Sequence, residues 1–398
     1  MKILLVHRYF WPDHPNCGQI LWHLAKHLSS LGHTIDVITS LPSKDLNSRK
    51  INSKKIENID NIKIKRLNLI IEGRNPFKKI INAFSLGLWT NFYAIRNNYD
   101  LIITTTIPPI AGGFFGALAA CITKARFIYF CMDLHPEVGK ISKDFSNPII
   151  YSILKKIDNW SCKKANPVVV HSIDMKNSLN LRNKDEEFEI DIINNFSIPT
   201  EQSDNSIPHI NLEKKDKKLI IIFAGNVGRF QKLEAVIDAM IILQDRRDIE
   251  LTIVGDGSAK PELVSKIKKS NANVNFFDQQ PIHVVKEMIK KSDIGLVSLR
   301  SEIYKYGYPG KIMSYLEQGK PIIAVLERES EIVKLMEKEN YGFCISSFEP
   351  KKISQLLLKL ADDDTWKSKM NFNAFNAYEK YFSRNKILSK WSDILSFK

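Results

Sequence analysis

Cysteine is sparse and unpatterned in this sequence. Cys17, Cys121, Cys131, Cys162 and Cys344 form no Cys-x-x-Cys pair and share no metal-type spacing with histidine. That excludes a disulfide framework and a zinc module, and predicts reduced thiols in a cytoplasmic protein. Long apolar runs are also missing. The longest, IPPIAGGFFGALAACI (107–122), is broken by two prolines and two adjacent glycines. It predicts a loop entering a buried helix, not a membrane span. The opening MKILLVHRYFWP has no small-residue cleavage site and predicts a first strand, not a signal peptide. Carboxylates are in deficit, 44 Asp and Glu against 58 Lys and Arg, a formal charge of +14. The imbalance points to an anionic partner, either a phosphorylated small molecule or an acidic membrane surface. No helix-turn-helix, RNP-like or zinc-finger pattern accompanies it, so no nucleic acid partner is expected. A metal-type Asp-x-Asp in a strand-end loop is absent, and the triplet DDD (362–364) predicts a helix start in the tail.

What is present is an alternation of short apolar runs with helical patterns. KILLV reads as a strand. ILWHLAKHLSSL then puts Ile20, Leu21, Leu24, Leu28 and Leu31 on one helical face, Gly32 stops that helix, and TIDVITS resumes as a strand. This β-loop-α-β order predicts an α/β chain built on parallel, doubly wound sheets. Similar strands recur at KIKRLNL, DLIITTT, RFIYFCM, PVVVHS and FEIDII. After a polar, charged stretch, a second series follows at LIIIFAG, IELTIVG, VNFFD, DIGLVSL and PIIAVL. With 398 residues the chain predicts two Rossmann-like halves. The boundaries read from it are 1–200, a linker at 201–217, 218–365, and helices at 366–398 that pack back toward the first half. Trp366, Phe375, Tyr378, Phe382 and Trp391 are expected to anchor that tail.

FAGNVGRFQKLEAVIDAM (223–240) carries the clearest local chemistry. A strand end, two glycines, an arginine and a helical pattern together make a phosphate cradle: backbone N–H groups, a helix dipole and a forked cation. A tight βα turn with a solvated arginine is the plain alternative. Gly18 before the first helix, and Lys311 in YGYPGKIMSYLEQGKPIIAV (306–325), repeat the theme.

SLGHTIDVITS, FAGNVGRFQKLEAVIDA, LTIVGDG, the NVNFFDQQP and SDIGLVSL pair, and PGKIMSYLEQGKPIIA occur in this order along nearly the whole chain. In them the sequence resembles the retaining GT-B glycosyltransferases of family 4. Within these it is most similar to the bacterial O-antigen and capsule subgroup that includes proposed N-acetyl-L-fucosaminyltransferases. DLHPE (133–137) and CKKANPVVVHS (162–172) resemble segments of that subgroup. The resemblance implies two Rossmann-like domains facing a central cleft, the first for the acceptor and the second for a nucleotide sugar. It implies donor contacts at Gly18, Gly228, Arg229, Gly255, Asp256, Gln280 and Lys311. Two departures stand out. Ser314 and Tyr306 occupy the places of the family's paired glutamates, leaving Glu331 as the nearest acidic candidate by pattern. Gln231 replaces the usual lysine of the phosphate loop, with Lys232 next to it as either a second cation or an exposed helix residue.

Transfer from a UDP-sugar needs its leaving diphosphate stabilised, which fixed cations such as Arg229 and Lys311 can do. No cofactor and no metal are expected. Asp133, directly after RFIYFCM, is the candidate catalytic carboxylate or else a turn cap; His135, Glu137, His7 and His171 are weaker candidates. The basic and aromatic stretch 75–96 reads either as a core helix or as a contact with the inner face of the cytoplasmic membrane, where a polyprenyl-diphosphate-linked glycan would be the acceptor. A sugar-nucleotide epimerase and a non-catalytic nucleotide-sugar binder are the alternatives.

Overall fold

The chain is described by a computed structural model covering residues 1–13, 16–42, 54–70, 75–142, 144–182, 188–200 and 219–396. The expected linker 201–217 lies outside these. Two compact units emerge. The first comprises Met1–Asn194 with Lys305–Tyr308 and Leu388–Lys398; the second comprises Asn195–Tyr304 and Pro309–Ile387.

In the first unit the elements run β1 (Lys2–Val6), α1 (Asn16–Ser30), β2 (Thr34–Ser40), β3 (Ile56–Ile59), β4 (Ile62–Leu67), α2 (Pro76–Asn97), β5 (Leu101–Thr105) and α3 (Ala111–Thr123). They continue β6 (Arg126–Phe130), α4 (Glu137–Ile141), α5 (Pro148–Lys164), β7 (Val168–Val170), α6 (Ile173–Asn180) and β8 (Ile190–Ile192). The sheet order among the described residues is β3-β4-β2-β1-β5-β6-β7-β8, parallel except for the β3–β4 pair. The central strands are buried on both faces, so LIITT and RFIYF are apolar almost throughout instead of alternating. Leu31 lies beyond the end of α1 and is half exposed, because the helix already stops at Ser30 with Gly32 at φ +85°. β3 escaped the sequence reading because it is a short, largely exposed edge strand.

The second unit runs β9 (Leu219–Ala224), α7 (Glu234–Ile242), β10 (Ile249–Val254), α8 (Lys260–Ile267), β11 (Val274–Phe277), α9 (Ile282–Lys291) and β12 (Ile294–Ser298). There follow α10 (Lys311–Glu317), β13 (Ile322–Val325), α11 (Glu331–Glu339), β14 (Gly342–Ile345), α12 (Pro350–Asp362) and α13 (Trp366–Ala377); the last helix, α14 (Arg384–Ser396), belongs to the first unit from Leu388 on. Its sheet is parallel throughout, in the order β11-β10-β9-β12-β13-β14. A core of Leu219, Ile221, Phe223, Val236, Met240, Leu251 and Ile253 fills the space between sheet and helices.

The DDD triplet is not a helix start. Asp362 ends α12 and accepts from Arg246 Nη2 at 2.8 Å, while Asp363 Oδ1 takes the Thr365 N–H. Of the tail aromatics, Tyr378, Phe382 and Trp391 are buried, and Trp391 meets Phe130 edge-on within the first unit. Phe375 is instead 46% exposed.

Candidate functional site

Parallel strands send all their carboxyl ends to one edge. Both sheets reverse their winding order, the second between β9 and β12 and the first between β1 and β5. Such reversal points are where loops diverge and ligands enter. In the second unit β9 and β12 pair only at Ile221–Ile294 and Ile222–Gly295. Beyond that point the Tyr315 hydroxyl stands between them, accepting from Ala224 N–H at 2.9 Å and donating to the Leu296 carbonyl at 3.4 Å.

Lys311, the first residue of α10, sits at this opening. Its chain is half-buried, but Nζ is closed off from solvent and finds no hydrogen-bond partner among the described residues. Nζ stands 3.1 Å from the centroid of the Phe223 ring. Burial holds its pKa well below the ordinary lysine value. A Cβ placed on Gly225 would lie 3.5 Å from Lys311 Cε and Nζ, so the glycine and the ammonium are neighbours. Gly225 has φ +131°, and a Cβ on Gly255 would fall 2.0 Å from the Gly225 carbonyl oxygen. The two strand-end turns therefore close on each other only because both are glycine.

The rest of the loop after β9 differs in detail from its sequence reading. Arg229 is exposed and opens a short 3-10 turn, Arg229–Gln231. Lys232 then takes the left-handed conformation at φ +43°, so α7 starts only at Glu234. The Gly228 N–H is already taken by Gln231 Oε1 at 3.0 Å, a cap that replaces the usual lysine. Lys232 Nζ rests 3.8 Å from the Phe348 ring centroid. Asp256 is exposed; its Oδ1 accepts from Gly257 N–H and its carbonyl from Val227 N–H, both at 2.9 Å. Gln280 donates to the Asp278 carbonyl, and Lys260, which sequence reading passed over, ties Gly255 O, Phe277 O and Asp278 together. Ser314 faces Ser197, whose hydroxyl also donates to Glu317 Oε2 at 2.7 Å. Lys286 pairs with that same carboxylate, so Glu317 is a carboxylate three residues beyond the expected place. Glu331 begins α11, capped by Ser330, on the loop after β13.

In the first unit, Asp133 follows β6. Its backbone pairs with Gly307 as an antiparallel bridge, and a Cβ on Gly307 would come 2.5 Å from Asp133 Oδ1. The Thr106 hydroxyl receives the N–H groups of Met132 and Asp133, and Leu134 N–H donates to the Tyr306 carbonyl at 2.7 Å. Burial pushes the Asp133 carboxyl up to about 6. The Arg182 guanidinium fixes the following loop: it is ion-paired with Glu137 and with Asp158, and donates to the His135 carbonyl at 2.8 Å. No local motif announces Arg182, because its partners come from two distant segments, 135–137 and α5. Burial lowers His135 to about 4, His171 to about 4 and His7 to about 3, so all three are neutral. His7 Nδ1 meets Thr105 Oγ1 at 2.5 Å across the β1/β5 reversal, and His171 Nδ1 meets the Ile193 carbonyl. Gly18 packs closely on Tyr9, a Cβ there lying 3.0 Å from the Tyr9 carbonyl oxygen.

Residues 218–363 match the family model described as glycosyl transferases group 1. That span holds the glycine turns, Arg229 and Lys311. The chain is a glycosyltransferase. The transferase is 24% identical over 301 residues to "Probable glycosyltransferase WbjE" of Pseudomonas aeruginosa, covering 72% of each chain. It is 29% identical over 148 residues to WcaI of Escherichia coli K12, named for colanic acid biosynthesis as a glycosyl transferase, covering 37% of this chain and 35% of that one. HepE of Anabaena, solved in complex with UDP, superposes over the whole of both chains with a TM-score of 0.70 at 17% identity. The transferase has the GT-B fold, with two α/β sheets, parallel but for the β3–β4 pair, and a helical tail.

Proposed function

We propose that this glycosyltransferase moves an N-acetylamino sugar from UDP to a polyprenyl-diphosphate-linked glycan during surface polysaccharide synthesis, with retention of anomeric configuration and without a metal. The observation that carries this reading is the buried, unpartnered Lys311 ammonium beside Gly225 at the β9/β12 reversal. A buried cation without a counter-charge is costly, and a diphosphate is the counter-charge that a strand-end opening of this kind accepts. Arg229, exposed four residues after Gly225, adds a forked donor for the second phosphate. As the glycosidic bond to UDP breaks, the leaving oxygen's charge grows. Cations held in place beforehand stabilise that charge without reorganising.

Asp133 is the carboxylate assigned to the acceptor, orienting its hydroxyl or taking its proton. A carboxyl with a pKa near 6 is ionised at neutral pH yet basic enough for that step. The nucleotide and the polysaccharide setting draw support from HepE, solved with UDP, and from WcaI. The acceptor's lipid would bring the enzyme to the inner face of the cytoplasmic membrane, with segment 75–96 as the contact.

Mass spectrometry of products formed from a panel of UDP-sugars and native lipid-linked acceptor tests the reading. A product heavier by one N-acetylamino sugar, formed with UDP release, is expected. UDP release without a heavier glycan, or conversion of the UDP-sugar in the absence of acceptor, would contradict it.

A further inference from the structure

Helix α2 is built inside out. Its buried face is small and polar: Asn82, Gly87, Thr90, Asn91 and Ala94 with one leucine, Leu86. Gly87 lets α3 approach so closely that a Cβ there would overlap the Phe115 ring, and Asn91 Nδ2 donates to the Phe115 carbonyl at 3.1 Å. The opposite face, Phe77, Ile81, Phe84, Leu88, Phe92 and Ile95, recurs at intervals of three and four residues and is 48 to 74% exposed. A soluble helix normally shows the reverse pattern.

Apolar residues are also exposed elsewhere in the helix layer that contains α2. Helix α3 packs against α2 on one side and α5 on the other, with Phe114 of α3 tilted against Trp160 of α5. At the start of α5, Ile149, Ile150 and Ile153 are 70%, 50% and 52% exposed. Charge on this layer has one sign. Helix α2 contains Lys78, Lys79 and Arg96 and no carboxylate. The only acidic residue of α5, Asp158, is buried against Arg182 and Tyr129, while Lys156, Lys163 and Lys164 are exposed.

We propose that α2 and the first turns of α5 form one docking face for an anionic lipid bilayer, into which the α2 stripe and the α5 isoleucines insert while the basic residues meet the headgroups. The occupant is a bilayer because the two helices that carry the exposed apolar residues expose cations and no carboxylate, the complement of an anionic lipid surface. No helix among the described residues is long and apolar enough to cross a membrane, so the contact is one of surface insertion. This deepens the membrane part of the function proposed above, from a single segment to a two-helix face.

Flotation of the full chain with vesicles tests it, using neutral phosphatidylcholine alone and with 30% phosphatidylglycerol, without donor or acceptor. Binding to the anionic vesicles is expected, weaker at 0.5 M salt and weaker on the neutral ones. L88E and I149E should each reduce it about tenfold. Both positions are exposed, and a glutamate in the first turn of α5 suits the helix dipole, so both variants should fold and melt like the parent. A chain that stays in solution with both vesicles, or L88E and I149E variants that float like the parent, would overturn the proposal. So would a concentration-dependent dimer abolished by L88E, since a second copy would then cover the face. Transfer to a water-soluble acceptor reads the catalytic assignment separately, because neither substitution touches the Lys311 or Asp133 sites.

Discussion

Lys311 Nζ lies 3.1 Å from the centre of the Phe223 ring, with no hydrogen-bond acceptor among the described residues. The ring's π face is a weak substitute for water or a carboxylate. Burial accordingly drives the lysine toward its neutral form. A diphosphate arriving beside Gly225 would restore the charged form and raise the pKa. UDP binding is therefore predicted to take up protons. Calorimetric titrations in buffers of different ionisation heat, at pH 8, should show net uptake in the parent and none in K311M.

Arg229 makes the complementary case, because it is exposed on its 3-10 turn. R229A should leave the melting temperature unchanged, since exposed substitutions away from special features shift stability by only about 0.5 kcal/mol. Turnover with UDP-sugar should fall about 100-fold, the size of effect expected when one leaving-group donor is removed. Steady-state kinetics check this; a rate equal to the parent's would remove Arg229 from the assignment.

Asp133 predicts a pH profile. Its folded pKa of about 6 is raised by burial above the ordinary aspartate value. A carboxylate that must accept a proton loses activity as pH falls through about 6, and D133N should abolish both the activity and that limb. The stability sign is opposite. A raised carboxyl pKa contributes stability that is present below the unfolded pKa and is lost as pH rises through 6, so D133N should melt higher than the parent at pH 8.

Arg182 holds two buried carboxylates and the His135 carbonyl. R182M would leave Glu137 and Asp158 without their partner, which costs about 3–5 kcal/mol. The melting temperature should drop by roughly 10 °C. Adding E137Q and D158N to R182M should recover part of the loss, because the stranded charges are then gone; thermal melts of the single and triple variants check both statements.

The sequence made the strand-end chemistry legible because parallel α/β order ties position in the chain to position in space. Gly225, Gly255, Asp256, Gln280 and Lys311 all follow strands of one sheet and so share one edge. What it could not convey were contacts between distant segments: Gly307 against Asp133, Arg182 reaching Glu137 and Asp158, Glu317 reaching Ser197 and Lys286. The late start of α7 was also hidden, since it depends on Lys232 adopting φ +43°, a conformation its side chain does not advertise. The DDD triplet misled for a related reason, as its partners Arg246 and Thr365 are what make it a helix end.

The most direct test is the thermal unfolding of K311M beside the parent, each with and without UDP. An unpartnered buried amine replaced by an apolar chain of similar length should raise stability without ligand, by about 1–3 kcal/mol, the cost of leaving a buried polar group unsatisfied. The same variant should lose the UDP-induced rise in melting temperature that the parent shows. A variant that melts lower than the parent without ligand and is stabilised by UDP to the same extent would contradict the account.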